Sequence, residues 1–161
     1  MSGHARVAAR VVDALAIATF VGMFACVLAQ VVFRYFLGDP LVWSDELARY
    51  LFVWCALLGW VIAARRRSHL SVSILAGALP ARGQGALALV GAFASIAFAA
   101  VLVYHGWRIT ARNLDVETTS LALSIGVVYA IVPAAAMAVA LHAAVDALRA
   151  FRMMLAGARA A

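Results

Sequence analysis

Residues 43–49 read Trp43-Ser44-Asp45-Glu46-Leu47-Ala48-Arg49. They open one long apolar run, about 43–64, and follow closely on another, about 11–37. Two acids, a base and an indole thus fall within two helical turns where charge is otherwise scarce. An ionisable group at the edge of hydrocarbon is expensive unless it is paired or reached by water. Asp45 and Arg49 are four apart and Glu46 and Arg49 three apart, so a helix puts them on one face. The acids stand near the helix N-terminus, where the macrodipole favours negative charge. Trp43 has the amphipathic ring that settles at a membrane interface. These residues fit a capped, paired helix start, and they fit an anchoring site equally well.

The apolar runs decide the fold class. Of 161 residues, 67% are apolar and the mean hydropathy is +1.01, beyond the range of an ordinary soluble domain. Runs long enough to cross a bilayer recur four times, at about 11–37, 43–64, 85–107 and 121–145. The expectation is an all-α integral membrane protein: one four-span domain over residues 1–161, with no room for a soluble domain. Arg6 and Arg10 before an apolar run suggest a signal peptide, but Asp13 interrupts it and the run continues past Cys26 to Leu37. The first helix is therefore read as uncleaved. Cys26 and Cys55 lie inside spans and are read as small packing residues rather than a disulfide.

The net charge of +6 comes from thirteen arginines against seven acids. The arginines sit at the ends of apolar runs, so membrane topology explains them better than nucleic acid does. Nine of the thirteen (Arg6, Arg10, Arg65, Arg66, Arg67, Arg82, Arg149, Arg152 and Arg159) fall on one side. By the positive-inside rule that side is the cytoplasm, and both termini lie there. Arg34, Arg49, Arg108 and Arg112 fall on the opposite side with Asp39, Asp45, Glu46, Asp115 and Glu117.

Within the first span Gly22, Cys26, Gln30 and Arg34 recur every four residues, a stripe suited to a helix contact. Arg34 either snorkels or pairs with Asp45 or Glu46 across the hairpin, and the short loop favours the pair. Gly38-Asp39-Pro40 is a turn signal. Trp54 and Trp60 read as packing or lipid-facing residues. Residues 69–79 are too short to span and read as an interfacial amphipathic helix, with an extended connector as the alternative. His69, with Arg65, Arg66 and Arg67, marks the interface there. In the third span Gly91, Ser95 and Ala99 form a small-residue row, and His105, Tyr104, Trp107 and Arg108 form an interfacial belt. Thr118, Thr119 or Ser120 caps the fourth span. That span carries a second small-residue row, Gly126, Ala130, Ala134 and Ala138. Pro133 frees the carbonyl of Tyr129 and kinks the helix.

Several chemistries are missing. No carboxylate sits at mid-span, as proton-coupled carriers require, which counts against a stand-alone small carrier. No metal motif, phosphate loop or nucleophile–base pair stands out. His105 and His142 lie near opposite faces and cannot share a haem. His69 and His142 could, which leaves a haem or quinone redox subunit as the enzyme-class alternative.

Arg34-Tyr35, Pro40, Trp43-Ser44-Asp45-Glu46, Arg49, Trp54, Gly59, the arginine cluster and His69-Leu70 with Val72 together resemble the small membrane subunit, the DctQ-type Q component, of TRAP (tripartite ATP-independent periplasmic) transporters. Tyr129 and Pro133 are similar to the same family. The dense part of the match runs from Arg34 to about Leu75. Asp45 stands where the family often has Glu, and Ser73 where it often has an acid. The resemblance implies a non-enzymatic scaffold subunit in a bacterial inner membrane, among membrane lipids. It implies two protein partners: a large elevator-type membrane subunit and a periplasmic solute-binding protein that delivers a carboxylate-bearing solute. A sodium gradient drives uptake, with ion sites in the large subunit and no cofactor here. Arg34, Trp43, Asp45, Glu46 and Arg49 would then be the partner-facing or hairpin-locking charge cluster.

Overall fold

The computed structural model describes residues 3–66 and 81–159. Helix α1 is Gly3–Val32 and continues as a π-helical turn over Phe33–Leu37. Helix α2 is Val42–Arg66, α3 is Ala81–Arg112, α4 is the short Ile125–Tyr129 and α5 is Ile131–Arg159. Four stretches are long and apolar enough to cross a membrane: Arg6–Leu37, Val42–Arg66, Gly83–Arg112 and Ile125–Arg152. The all-α, four-span membrane fold is thus present. The interfacial helix expected at 69–79, with Arg67, His69 and Ser73, lies outside the described residues.

The π turn ends because Gly38 adopts φ 72°, a left-handed conformation that costs glycine little. The amides of Gly38 and, at 3.2 Å, Asp39 both point to the Phe33 carbonyl. Pro40 follows, and α2 starts two residues later. The Ser44 hydroxyl, fully buried, donates to the Leu41 carbonyl at 2.7 Å and closes the first turn.

In space the helices run in the order α1, α2, α5, α3, each packing on the next. Val61 and Ala64 of α2 meet Ala135 and Val139 of α5, with Val12 of α1 against the same cluster. The α3–α5 seam is the most extensive, and it is built from small residues. Gly85, Ala92, Ala99 and Gly106 are buried at intervals of seven along α3; Ala136, Ala143 and Ala150 are buried at the same interval along α5. In lipid there is little hydrophobic force between helices, so close backbone approach through small side chains holds them. A seven-residue repeat keeps that seam facing its partner along a long helix pair. A Cβ on Gly106 would stand 3.0 Å from Val132 Cγ1 and 3.1 Å from Pro133 Cδ. Large side chains such as Ile17, Phe20 and Phe24 of α1 point outward, as lipid-facing residues should.

Several local expectations change. The small-residue row Gly126, Ala130, Ala134 and Ala138 is a contact face only in part: Gly126 is buried and Ala138 packs on the α2–α5 cluster, but Ala134 is exposed, and the continuous buried face carries Ala135, Ala136, Val139 and Ala143. Gly91 is likewise exposed, and the Ser95 hydroxyl bonds to the Gly91 carbonyl at 2.8 Å. A four-residue row drifts around an α-helix by about 40° per step, against about 20° for a seven-residue row, so the seven-residue row keeps to one face. Gly22 does face α2: a Cβ there would lie 3.4 Å from Leu51 Cδ1. The fourth helical stretch begins at Ile125 rather than Leu121. The helix breaks at Ala130 between α4 and α5, three residues before the buried Pro133.

Candidate functional site

On α2, Glu46, Tyr50 and Trp54 recur every four residues and so share one face. All three use a polar atom on that face. The Tyr50 hydroxyl donates to Glu46 Oε1 at 2.6 Å. The backbone amide of Ser120 donates to Glu46 Oε2 at 2.9 Å. One α-turn further along from Tyr50, Trp54 Nε1 donates to the Val128 carbonyl at 3.1 Å. The first contact with Ser120 ties α2 to the loop before α4, and the second ties α2 to α4 itself.

That loop is built to present Ser120. Thr118 N donates to the Leu123 carbonyl at 2.8 Å, and Leu123 N returns a bond to Thr118 Oγ1 at 3.0 Å. Ile125 N donates to the Val116 carbonyl and Gly126 N to the Asn113 carbonyl, each at 2.8 Å. The Ser124 hydroxyl donates to the Leu114 carbonyl at 2.6 Å. Ala122, at φ 48°, makes the tight reversal. The buried Gly126 allows the closest approach: a Cβ there would lie 2.8 Å from Leu114 Cα. Thr118 therefore closes the loop instead of capping a helix, and Ser124, which precedes α4, makes no side-chain cap.

Of the sequence-predicted rim residues, only Glu46 joins this network. Asp45 and Arg49 are exposed, and Glu46 turns to Tyr50 rather than to Arg49. Arg34 does not reach Asp45 or Glu46. The wider π turn shifts the phase of residues 33–37 away from the α-helical stripe, and Arg34 points into the open. Trp43 is 41% exposed at the same rim. Arg108 lies over the Tyr104 ring, 5.6 Å from its centroid, beside His105.

At the opposite, arginine-rich end Arg65 joins two helices. Its Nη2 meets Asp13 Oδ1 at 2.5 Å and its Nη1 donates to the Ala9 carbonyl at 2.9 Å, clamping α2 to α1. Arg66 is exposed. Asp13 in an apolar run was the available signal for this pair, since a lone carboxylate there needs a cation. The signal for the α2 ladder was an acid, a phenol and an indole four residues apart. Trp54 reads as a packing residue only if its N–H, which a buried indole usually satisfies, is left out of account. Among the described residues no three His, Cys, Asp or Glu side chains converge as a metal site, and both cysteines are free.

Four membrane-length helices, with α2 tied by side chains to α1 at one end and to α4 and its preceding loop at the other, define a small multi-pass membrane protein. Residues 23–153 match the family described as tripartite ATP-independent periplasmic transporters, DctQ component, and the chain belongs to that family. Its members are transport components and not enzymes. The chain is 31% identical over 102 residues to the sialic acid TRAP transporter small permease protein SiaQ of Vibrio cholerae serotype O1, covering 63% of this chain and 59% of that one. It is 31% identical over 98 residues to the C4-dicarboxylate TRAP transporter small permease protein DctQ of the same organism, covering 60% of this chain and 42% of that one. A 61-residue segment is 36% identical to the sialic acid TRAP transporter permease protein SiaT of Haemophilus influenzae, covering 38% of this chain and 10% of that protein. The matched region thus spans between a tenth and about three fifths of the length of these relatives.

Proposed function

We propose that this chain is the small scaffold subunit of a sodium-driven, binding-protein-dependent TRAP transporter that takes up a carboxylate-bearing solute. The observation that carries the proposal is the distribution of ionisable groups. Asp, Glu, Arg and His are missing from 14–33, 50–64, 85–104 and 118–141, the apolar lengths of all four spans. A chain that itself moved an organic anion or a coupling cation through the bilayer would call for charged side chains at that depth. What this chain has instead is rim bonding and small-residue seams, the features of a rigid support. Relatives named for sialic acid and for C4-dicarboxylates support a carboxylate-bearing solute.

In this reading the large elevator-type subunit supplies the solute and sodium sites. The solute-binding protein approaches from the periplasmic side, and lipids of the bacterial inner membrane cover the outward faces of α1. The arginine bias puts Arg6, Arg65, Arg66 and both termini in the cytoplasm, and the rim of Trp43, Asp45, Glu46 and Arg49 on the periplasmic side. Asp45, Arg49 and Arg34, exposed and in no hydrogen bond or ion pair among the described residues, form the surface offered to a partner there; Glu46 holds the loop beside it. Two arms test this. Co-expressed with its large subunit and binding protein, the chain supports uptake of a labelled organic acid, and the Asp45→Ala/Arg49→Ala double variant lowers uptake while inserting normally. Reconstituted alone, it gives no flux. Full uptake by the double variant removes the rim role, and flux by the chain alone removes the scaffold role.

A further inference from the structure

Helices α2 and α3 both pack on α5, and between them a crevice of about 530 Å³ runs along α5. Its floor is small because the α5 seam is small: Val139, Ala143 and Ala150. Trp60 of α2 forms one wall, and α3 from Leu87 to Phe98 forms the other. Those eleven helical steps measure roughly 16 Å at 1.5 Å each. The hydrocarbon core of a bilayer is about 30 Å thick, so the crevice has the depth of one leaflet. At the end near the middle of α3 the Trp60 and Phe98 rings meet edge to face, centroids 5.9 Å apart. The other end lies on the arginine-rich side and carries His142, Asp146 and Arg149. The Arg149 side chain is 59% exposed there, with Nη1 3.6 Å from Asp146 Oδ1.

We propose that this crevice seats one acyl chain of a phospholipid from the arginine-side leaflet, with the lipid phosphate against Arg149. Three features select this occupant. The lining is apolar apart from Ser95 until the mouth, where the charged groups Asp146 and Arg149 gather, the distribution of a phospholipid with its tail inward. The ring pair stands at one-leaflet depth, so the crevice matches the length of an acyl chain rather than that of a transmembrane helix. Arg149 is 59% exposed at that face and can meet a lipid phosphate while its Nη1 stays 3.6 Å from Asp146 Oδ1. The proposal does not depend on the transport reading.

Gly91 and Gly59 make the test clean. A Cβ at either position has open space around it, but only Gly91 lines the crevice. The purified full chain is delipidated in detergent, mixed with phosphatidylglycerol or with phosphate-free diacylglycerol, and examined by native mass spectrometry. The same phosphatidylglycerol with brominated chains is used to quench tryptophan fluorescence, and the Trp60→Phe variant reports how much of the quenching is at Trp60. Wild type and Gly59→Leu should retain one phosphatidylglycerol in preference to diacylglycerol. Gly91→Leu should lose it with helical content unchanged. Arg149→Gln should weaken retention about fivefold, the worth of one arginine near an anionic lipid. Equal retention by wild type and Gly91→Leu overturns the site, as does quenching that Trp60→Phe leaves unchanged. Equal retention of both lipids overturns the phosphate contact. If Gly91→Leu instead abolished association with a second copy or a larger membrane protein, at unchanged lipid retention, the occupant would be that partner.

Discussion

Glu46 and Ser120, 74 residues apart in the chain, are joined by a hydrogen bond of 2.9 Å from the Ser120 amide to the Glu46 carboxylate. Tyr50 holds the other carboxylate oxygen at 2.6 Å, so the acid is steered toward the loop by a neighbour one turn along its own helix. Replacing Glu46 by Ala frees the Ser120 amide, and hydrogen exchange at that amide should accelerate. Glu46→Gln keeps an acceptor oxygen and should show an intermediate rate. Tyr50→Phe leaves the Ser120 bond in place and should show the smallest change. Unaltered exchange in Glu46→Ala would mean that the loop is held by its internal bonds alone.

The bond from Trp54 to the Val128 carbonyl lies beside the break at Ala130, where the helical ladder is interrupted. Trp54→Phe keeps an aromatic ring and removes the donor. The expected loss is about 1 kcal/mol of unfolding stability, the net worth of a typical intramolecular hydrogen bond. Equilibrium unfolding in mixed micelles of dodecyl sulfate reads it. Trp60→Phe, where the ring contact is with Phe98, should cost less; the reverse order would refute the role given to Trp54.

Glycines at 126 and 59 should behave oppositely. At Gly126 a methyl group would press on Leu114 backbone atoms at 2.8 and 2.9 Å, which cannot yield as a flexible side chain does. Gly126→Ala should cost about 1–3 kcal/mol, the range for overpacking. Gly59 has open space, and Gly59→Ala should stabilise α2 by up to ~1 kcal/mol through helix propensity. The same micelle titration compares them, and equal effects at the two sites would contradict the loop geometry.

Arg65 and Asp13 are coupled across α1 and α2, with side chains 21% and 36% exposed. A double-mutant cycle with Asp13→Asn and Arg65→Gln should give a coupling energy of about 1 kcal/mol. Additive effects would leave Arg65 as a topology marker only.

Much of the fold is legible in the sequence. Apolar runs of bilayer length appear in sequence because every backbone group in lipid must be bonded within its own helix, so composition and length suffice to find a span. The turn at Gly38-Asp39-Pro40 was legible for the same local reason: glycine and proline act on the residues beside them. The pairings at the Trp43–Arg49 rim are not readable from the sequence. Arg34 looked well placed for Asp45 and Glu46 on an α-helical count, and a π turn no pattern announced moved it away. Glu46 looked destined for Arg49, and a loop 74 residues downstream offered a backbone amide instead.

The chain alone therefore determined that there are four apolar spans, where charge is permitted, and which side gathers arginine, because each depends on one segment's exchange between water and lipid. The order α1, α2, α5, α3, the seven-residue seam between α3 and α5, and the partners of Glu46, Trp54 and Arg65 were decided only by the assembled helices. Small residues and unmatched donors are common on all faces of such helices. Which of them meet is set by how closely two backbones approach, and that distance belongs to the packed pair.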